Sequence, residues 1–119
     1  MKYRFYNHNP LNVFTDDCVI RCIAVCEGIS WDECYGKLSY LSGKEGKILN
    51  DVEFVESYLD EKYDRECYKG ITVGEFASKC PKGNFAITTN GHIVAVIDNV
   101  IVDTFDSSNR IVKCCWRVK

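Results

Sequence analysis

The sequence lacks most of what would take it outside an ordinary folded domain. Its longest apolar stretch, Val19 to Cys26, is broken by Arg21 and is far too short to span a bilayer. The first residues, Met-Lys-Tyr-Arg-Phe-Tyr-Asn-His, contain no apolar export core, so a cytoplasmic protein with no membrane partner is expected. Neither sign of charge dominates: 15 Lys and Arg stand against 17 Asp and Glu, for a net charge of −2. No block of five like charges occurs. There is thus no basic footprint for nucleic acid. No C-x-x-C pair, internal repeat or linker is found.

What is present is one domain's worth of chain. The 119 residues are 46 % hydrophobic, 27 % charged and 13 % aromatic, which fits a soluble globular domain spanning 1–119. A chain of this size buries roughly two-thirds of its unfolded surface, enough for one core. Eight cysteines are many for the length: Cys18, Cys22, Cys26, Cys34, Cys67, Cys80, Cys114 and Cys115. Cys18, Cys22 and Cys26 recur every four residues, which stacks them along one stripe of a helix. Without a sign of secretion, most of these thiols read as reduced core residues. A zinc site is the competing use, but the cysteine spacings do not suit it, so no cofactor or metal is expected.

The chain divides into helices first and strands second. Residues 1–15 form an aromatic, Asn-rich leader, expected to be irregular and packed on the domain. A helix from about Asp17 to Glu27 has Asp16 or Asp17 as its cap and Gly28 as its stop. It is apolar nearly all round, so it should be buried. A second helix runs from Ser30, with Glu33 as capping-box partner, to about Leu41, where Ser42-Gly43 ends it. A third starts at Asn50 or Asp51, and a short strand is placed at Arg65 to Tyr68. Thr72 with Glu75 opens a last short helix to about Lys79, followed by a Pro81-Lys82-Gly83 turn. Then the period changes. Asn84–Thr89, His92–Ile97, Val100–Thr104 and Ile111–Val118 read as strands, with hairpin turns at Asn90-Gly91 and Asp98-Asn99. The expected class is α+β, N-terminal helices packed on a C-terminal antiparallel sheet.

The strand register generates a candidate site. A two-residue turn at Asp98-Asn99 sets Ile97 opposite Val100, Val94 opposite Asp103 and His92 opposite Phe105. His92 and Asp103 then lie diagonally on one face, about 7–8 Å apart at the backbone and within side-chain reach. A one-residue bulge would invert this. A histidine oriented by a carboxylate holds one tautomer and supports an imidazolium. Taken alone, such a pair can also be a solvated cross-strand contact.

Cys18 supplies a nucleophile. It follows Asp16-Asp17 at the first turn of the buried helix, where free N–H groups and the helix dipole favour a thiolate. The adjacent carboxylates work against this. Cys22 and Cys26 lie deeper in the helix, without that field. Asn12, six residues before Cys18, and Asn9, nine before it, are candidate oxyanion donors beside the Cys18 backbone N–H. Arg21, inside the apolar helix, needs a partner: Asp16, Asp17, Asp103 or a substrate carboxylate in the cleft. His8 reads as an exposed leader residue or a second base. Trp31 and Trp116 read as packing residues, and Ser107 and Ser108 as loop residues.

Cysteine at the start of a helix, histidine opening a strand and aspartate ending the next strand is the order found in papain-like cysteine peptidases. The stretches Asp-Asp-Cys-Val-Ile-Arg-Cys-Ile-Ala (16–24) and Gly-His-Ile-Val-Ala-Val-Ile-Asp-Asn-Val-Ile-Val-Asp-Thr-Phe-Asp-Ser-Ser (91–108) resemble a compact bacterial and phage-encoded branch of that superfamily. In arrangement it is similar to the double-glycine peptidases. The resemblance spans about Asn9 to Trp116. It implies a papain-like fold with Cys18 as nucleophile, His92 as base and Asp103 as orienting carboxylate. The family's oxyanion side chain is usually a Gln six residues before the cysteine, a position held here by Asn12. The implied partner is a peptide or protein substrate, the implied reaction thiol-dependent amide hydrolysis. Peptidase, isopeptidase, deamidase and transpeptidase chemistry stay open. An inactive papain-like interaction module is the alternative.

Overall fold

The computed structural model of the protein describes residues 3–66 and 70–119. Among them are four helices and six strands. Their order is β1 (Tyr3–Phe5), α1 (Cys18–Glu27), α2 (Trp31–Lys44), α3 (Val52–Lys62), β2 (Arg65–Glu66), α4 (Val73–Lys79), β3 (Asn84–Thr89), β4 (His92–Ile97), β5 (Val100–Asp103) and β6 (Cys114–Arg117). The strands form one sheet in the order β1-β5-β4-β3-β6-β2. The class is α+β, with a mixed sheet.

The sheet is covered on both faces, and strand alternation decides which residue faces which layer. Ala86, Ile93, Ala95, Cys114 and Trp116 join the core built with α1, α2 and α3. Their neighbours Phe85, Ile87, Val94, Val96 and Cys115 face the other way, onto Val73, Phe76 and Ala77 of α4. That double coverage explains why β3 and β4 read as near-continuous apolar runs. Cys22, Cys26, Cys34, Cys80, Cys114 and Cys115 are buried free thiols, and Cys18 is half-buried. Cys67 lies outside the described residues.

The sheet is not wholly antiparallel. The leader contributes β1, which pairs parallel with β5, Tyr3 beside Ile101 and Phe5 beside Asp103. Without it β5 would be a bare edge, and a free edge recruits any chain able to pair. The leader is therefore partly strand, and Tyr6 N–H continues the contact by donating to the Asp103 carbonyl.

Local chemistry explains the element boundaries. Gly28 ends α1 in the left-handed conformation at φ 73°. Ser30 caps α2 through the Glu33 N–H, without the reciprocal Glu33 bond of a full capping box. This helix passes through Ser42-Gly43 to Lys44, because the buried Leu38 and Ser42 carry its packing one turn further. Asp51 caps α3, and Thr72 with Glu75 forms both bonds of a capping box on α4. The fourth strand of the sequence reading starts later than Ile111, at Cys114; Ile111 makes only an isolated bridge to Thr72. The short strand comprises Arg65–Glu66, and its expected continuation to Tyr68 lies outside the described residues.

Asp98 and Asn99 both adopt positive φ, 46° and 69°, the signature of a two-residue type I′ turn. Each residue is also held from its side chain. Asp98 Oδ1 accepts the Gly83 N–H at 3.0 Å, and Asn99 Nδ2 donates to the Ala77 and Cys80 carbonyls at 2.8 Å each. The register follows, with Ile97 opposite Val100 and Ala95 opposite Val102.

The three helices of the first core are tied by Glu27 at the end of α1. Its carboxylate accepts from Lys37 at 2.6 Å, Tyr58 at 2.8 Å and Tyr63 at 2.6 Å. These donors hold its pKa down against the opposing effect of burial. Replacing Glu27 by Ala removes the acceptor shared by Lys37 and the Tyr58 and Tyr63 hydroxyls, and a cost of about 2–3 kcal/mol is expected in urea unfolding followed by Trp fluorescence. Because the folded pKa is depressed, the difference between wild type and E27A should be full at neutral pH and shrink as pH falls through that lowered value.

Candidate active site

Cys18, His92 and Asp103 meet where three elements end. Cys18 is the first residue of α1, His92 the first of β4 and Asp103 the last of β5. His92 Nε2 and Asp103 Oδ2 are 2.8 Å apart, with side chains 8 % and 2 % exposed. His92 and the Ile93 backbone N–H also act on the Cys18 thiol, both favouring its thiolate form. As Nε2 is occupied by the carboxylate, Nδ1 is the ring nitrogen left for sulfur.

The electrostatics follow from these contacts. Burial alone would push the Cys18 thiol up, but the His92 hydrogen bond and charge, the Ile93 N–H and the Arg21 charge outweigh it and lower the pKa. For His92, burial acts downward, and the hydrogen bonds to Asp103 and Cys18 raise it to about 9. Asp103 is held below the ordinary carboxylate value: burial opposes this, but His92, the Thr104 N–H and Ser107 prevail. The two shifts run in the direction of thiolate beside imidazolium. Cys22, Cys34, Cys80 and Cys115 shift the other way, chiefly through burial, with Cys34 pushed up to about 12.

Asp103 is saturated with donors. Oδ2 takes His92 and the Ser107 hydroxyl at 3.0 Å, and Oδ1 takes the Thr104 N–H at 2.7 Å and Arg21 at 3.3 Å. Arg21 also donates to Asp17 at 2.7 Å and to the Thr104 hydroxyl at 3.2 Å. Of its open alternatives the structure selects Asp17 and Asp103. Asp17 is the N-cap of α1 but makes no side-chain capping bond, because its oxygens are taken by Arg21, Trp31 Nε1 at 2.9 Å and Asn9 Nδ2 at 3.1 Å. The carboxylate next to Cys18 is thus paired with three donors, which offset the like-charge penalty expected of it.

The oxyanion candidates fare differently. Asn9 is buried, and both ends of its amide are in use, on Asp17 and on the Leu11 N–H. It braces the leader and is not free to face a substrate. Asn12 is exposed in a left-handed turn at φ 55°, its N–H bonded to the Asn9 carbonyl. The Cys18 N–H, first in its helix, has no intrahelical acceptor. Asn50, which the sequence marks only as a helix start, lines the same groove as Cys18 and His92. That groove is open to solvent, with Val19, Val52, Val55, Thr88, Gly91 and Ile93 around it.

Other residues take roles the sequence does not signal. Ser107 is buried and donates to Asp103, so it is more than a loop residue. The Phe105 ring lies 4.8 Å from the His92 ring, centroid to centroid, and shields it. Trp31 carries a hydrogen bond to Asp17, while Trp116 is fully buried with its indole N–H on Asp60. His8 is half-buried: Nε2 bonds the Ile29 carbonyl at 2.9 Å, so Nδ1 accepts from the Tyr6 hydroxyl at 2.7 Å. It is braced away from any base role. Among the described residues, no group of three His, Cys, Asp or Glu side chains is placed to hold a metal ion, and no helix is long and apolar enough to cross a membrane.

Comparison of the chain with family models, with curated proteins and with solved structures returned no match.

If Asp103 sets the charge of His92, D103N should drop the His92 pKa from about 9 toward or below its ordinary value. Imidazole NMR titration reads this directly, since His8 is the only other histidine. A His92 that still titrates near 9 in D103N would show that the carboxylate is not the cause.

Proposed function

We propose that the protein is a thiol-dependent amide hydrolase, a cysteine peptidase or a close chemical relative with a papain-like arrangement. The observation that carries this is that Cys18 and His92 line one groove with Asp103 bonded behind the imidazole, and that the Cys18 pKa is lowered where those of Cys22, Cys34, Cys80 and Cys115 are raised. Perturbed titratable groups in a cleft, linked in a nucleophile–base–orienter chain, are the physical mark of such a site.

The reaction is acyl transfer. The Cys18 thiolate attacks a carbonyl carbon, forming a C–S bond and an oxyanion faced by the Cys18 N–H. As the C–N bond breaks, the imidazolium of His92 gives its proton to the leaving amine. Water then attacks the thioester while His92 takes its proton, releasing the acid and restoring the thiol. Asp103 keeps the imidazole in the productive orientation throughout. The substrate is a peptide or protein, and the chemistry needs no cofactor. A cytoplasmic setting suits a site built on a reduced thiol.

One observation favours a second reading, an inactive interaction module on the same scaffold. Asn9 has both ends of its amide committed, to Asp17 and to the Leu11 N–H, and so does not stand free as an oxyanion donor.

Site-resolved alkylation separates the two. Substoichiometric iodoacetamide across pH 5 to 9, with adducts located by peptide mapping, should label Cys18 first and do so in the acid range. H92A should lose that selectivity, with labelling rising only as pH approaches the ordinary thiol value. Cys18 labelling no faster than Cys80 in the wild type would favour the inactive module. A panel of acyl-aminocoumarin peptides, with C18A as control, then tests turnover.

A further inference from the structure

Arg21 is an anomaly in its helix. The sequence around it is apolar on every side, and its side chain is only 12 % exposed. A buried ion pair is weak evidence for stability, because desolvation cancels much of the attraction. An aliphatic residue would pack there at less cost. The reason for an arginine is therefore sought in what it connects.

It connects the two halves of the site. Within the sheet, helix α1 packs chiefly on β4 and β3. The Arg21 guanidinium reaches past them to the end of β5, where it bonds Asp103 Oδ1 and the Thr104 hydroxyl. Its Nε is fixed on Asp17, the residue before the nucleophile. Asp17 is itself clamped by Trp31 and Asn9. The fork thus spans from the residue next to Cys18 to the carboxylate on His92.

We infer that Arg21 is a positioning residue, which holds Asp103 against His92 and keeps that pair in register with Cys18 at the α1 N-terminus. This inference rests on the thiolate–imidazolium reading above. Charges alternate along the line Asp17, Arg21, Asp103, His92, Cys18, so each is flanked by opposite sign. The other titratable groups packed here are Cys22 of α1, and Tyr6 and His8 of the leader, all lining the small void behind the thiol. Tyr3 feels Asp103 from β1. None of them carries a guanidinium or an ammonium group. Lysine cannot substitute fully, since one ammonium lacks the planar fork that serves two carboxylates and a hydroxyl at once.

The test is the pH profile of Cys18 alkylation in wild type, R21Q, R21K and H92A, with folding checked by circular dichroism. R21Q should lose about tenfold in labelling rate at pH 6, the effect of a one-unit rise in thiol pKa, and its acid-side inflection should move toward that of H92A. R21K should lose less, about threefold, because it keeps the charge without the fork. A purely structural role would lower stability yet leave the profile of the folded protein in place. A folded R21Q whose profile superimposes on wild type overturns the inference. Should R21Q fail to fold, R21K decides: an intermediate profile supports the inference and a wild-type profile overturns it. If H92A itself matches wild type, the activated pair fails and the role of Arg21 fails with it. If H92A differs but the Arg21 variants do not, only the present inference falls.

Discussion

The site depends on a two-residue turn. Asp98 and Asn99 each occupy the left-handed region, a conformation that non-glycine residues rarely adopt and that asparagine and aspartate tolerate best. Their side chains are anchored on Gly83 and on the end of α4, so the turn can neither lengthen nor relax. Since strand side chains alternate, a slip of one residue between β4 and β5 would send His92 and Asp103 to opposite faces. The 2.8 Å contact between them is a consequence of turn geometry some distance away along the strands.

Given that register, charge does the rest. A buried aspartate is costly unless its oxygens are filled, and Asp103 has four donors drawn from β4, α1 and the loop after β5. Filling them fixes its ionisation, which raises His92, which in turn stabilises the thiolate form of Cys18. The same logic operates at Asp17, where three donors convert a carboxylate next to Cys18 from a hindrance into an anchor. The leader is part of this device, since Asn9 supplies one of those donors and β1 closes the sheet edge beside Asp103.

The sheet half of the site was legible because its rules are local. Period-2 alternation and an Asp-Asn turn place His92 and Asp103 on one face with no tertiary information. The helix start at Cys18 was legible for the same reason, from Asp17 before it and Gly28 after it. What could not be read depends on distant parts of the chain meeting. Ser107 reaches Asp103 through a loop whose path no periodicity encodes. Asn9, offered as a substrate-facing amide, is instead consumed by Asp17 and the Leu11 N–H, a competition invisible until the leader is folded back on α1. The parallel pairing of β1 was missed because three residues carry too little pattern to declare a strand, and a strand with no hairpin partner announces itself only by the edge it covers.

The cysteines make the clearest case that environment, and not residue type, assigns chemistry. Cys18 and Cys22 share a helix, a stripe and one lining of the same small void. They differ by one turn. At Cys18 the helix has just begun, and the His92 imidazole, the Ile93 N–H and the Arg21 charge together lower the thiol. At Cys22 those partners are gone, burial dominates, and neighbouring Cys26, Cys18 and Asp103 add further opposition to a negative charge. Desolvation opposes a thiolate at both positions, more fully at the buried Cys22, so it cannot be what lowers Cys18. The difference lies in the hydrogen bonds and the cation set against it, and these exist only where α1 ends and β4 begins to meet it.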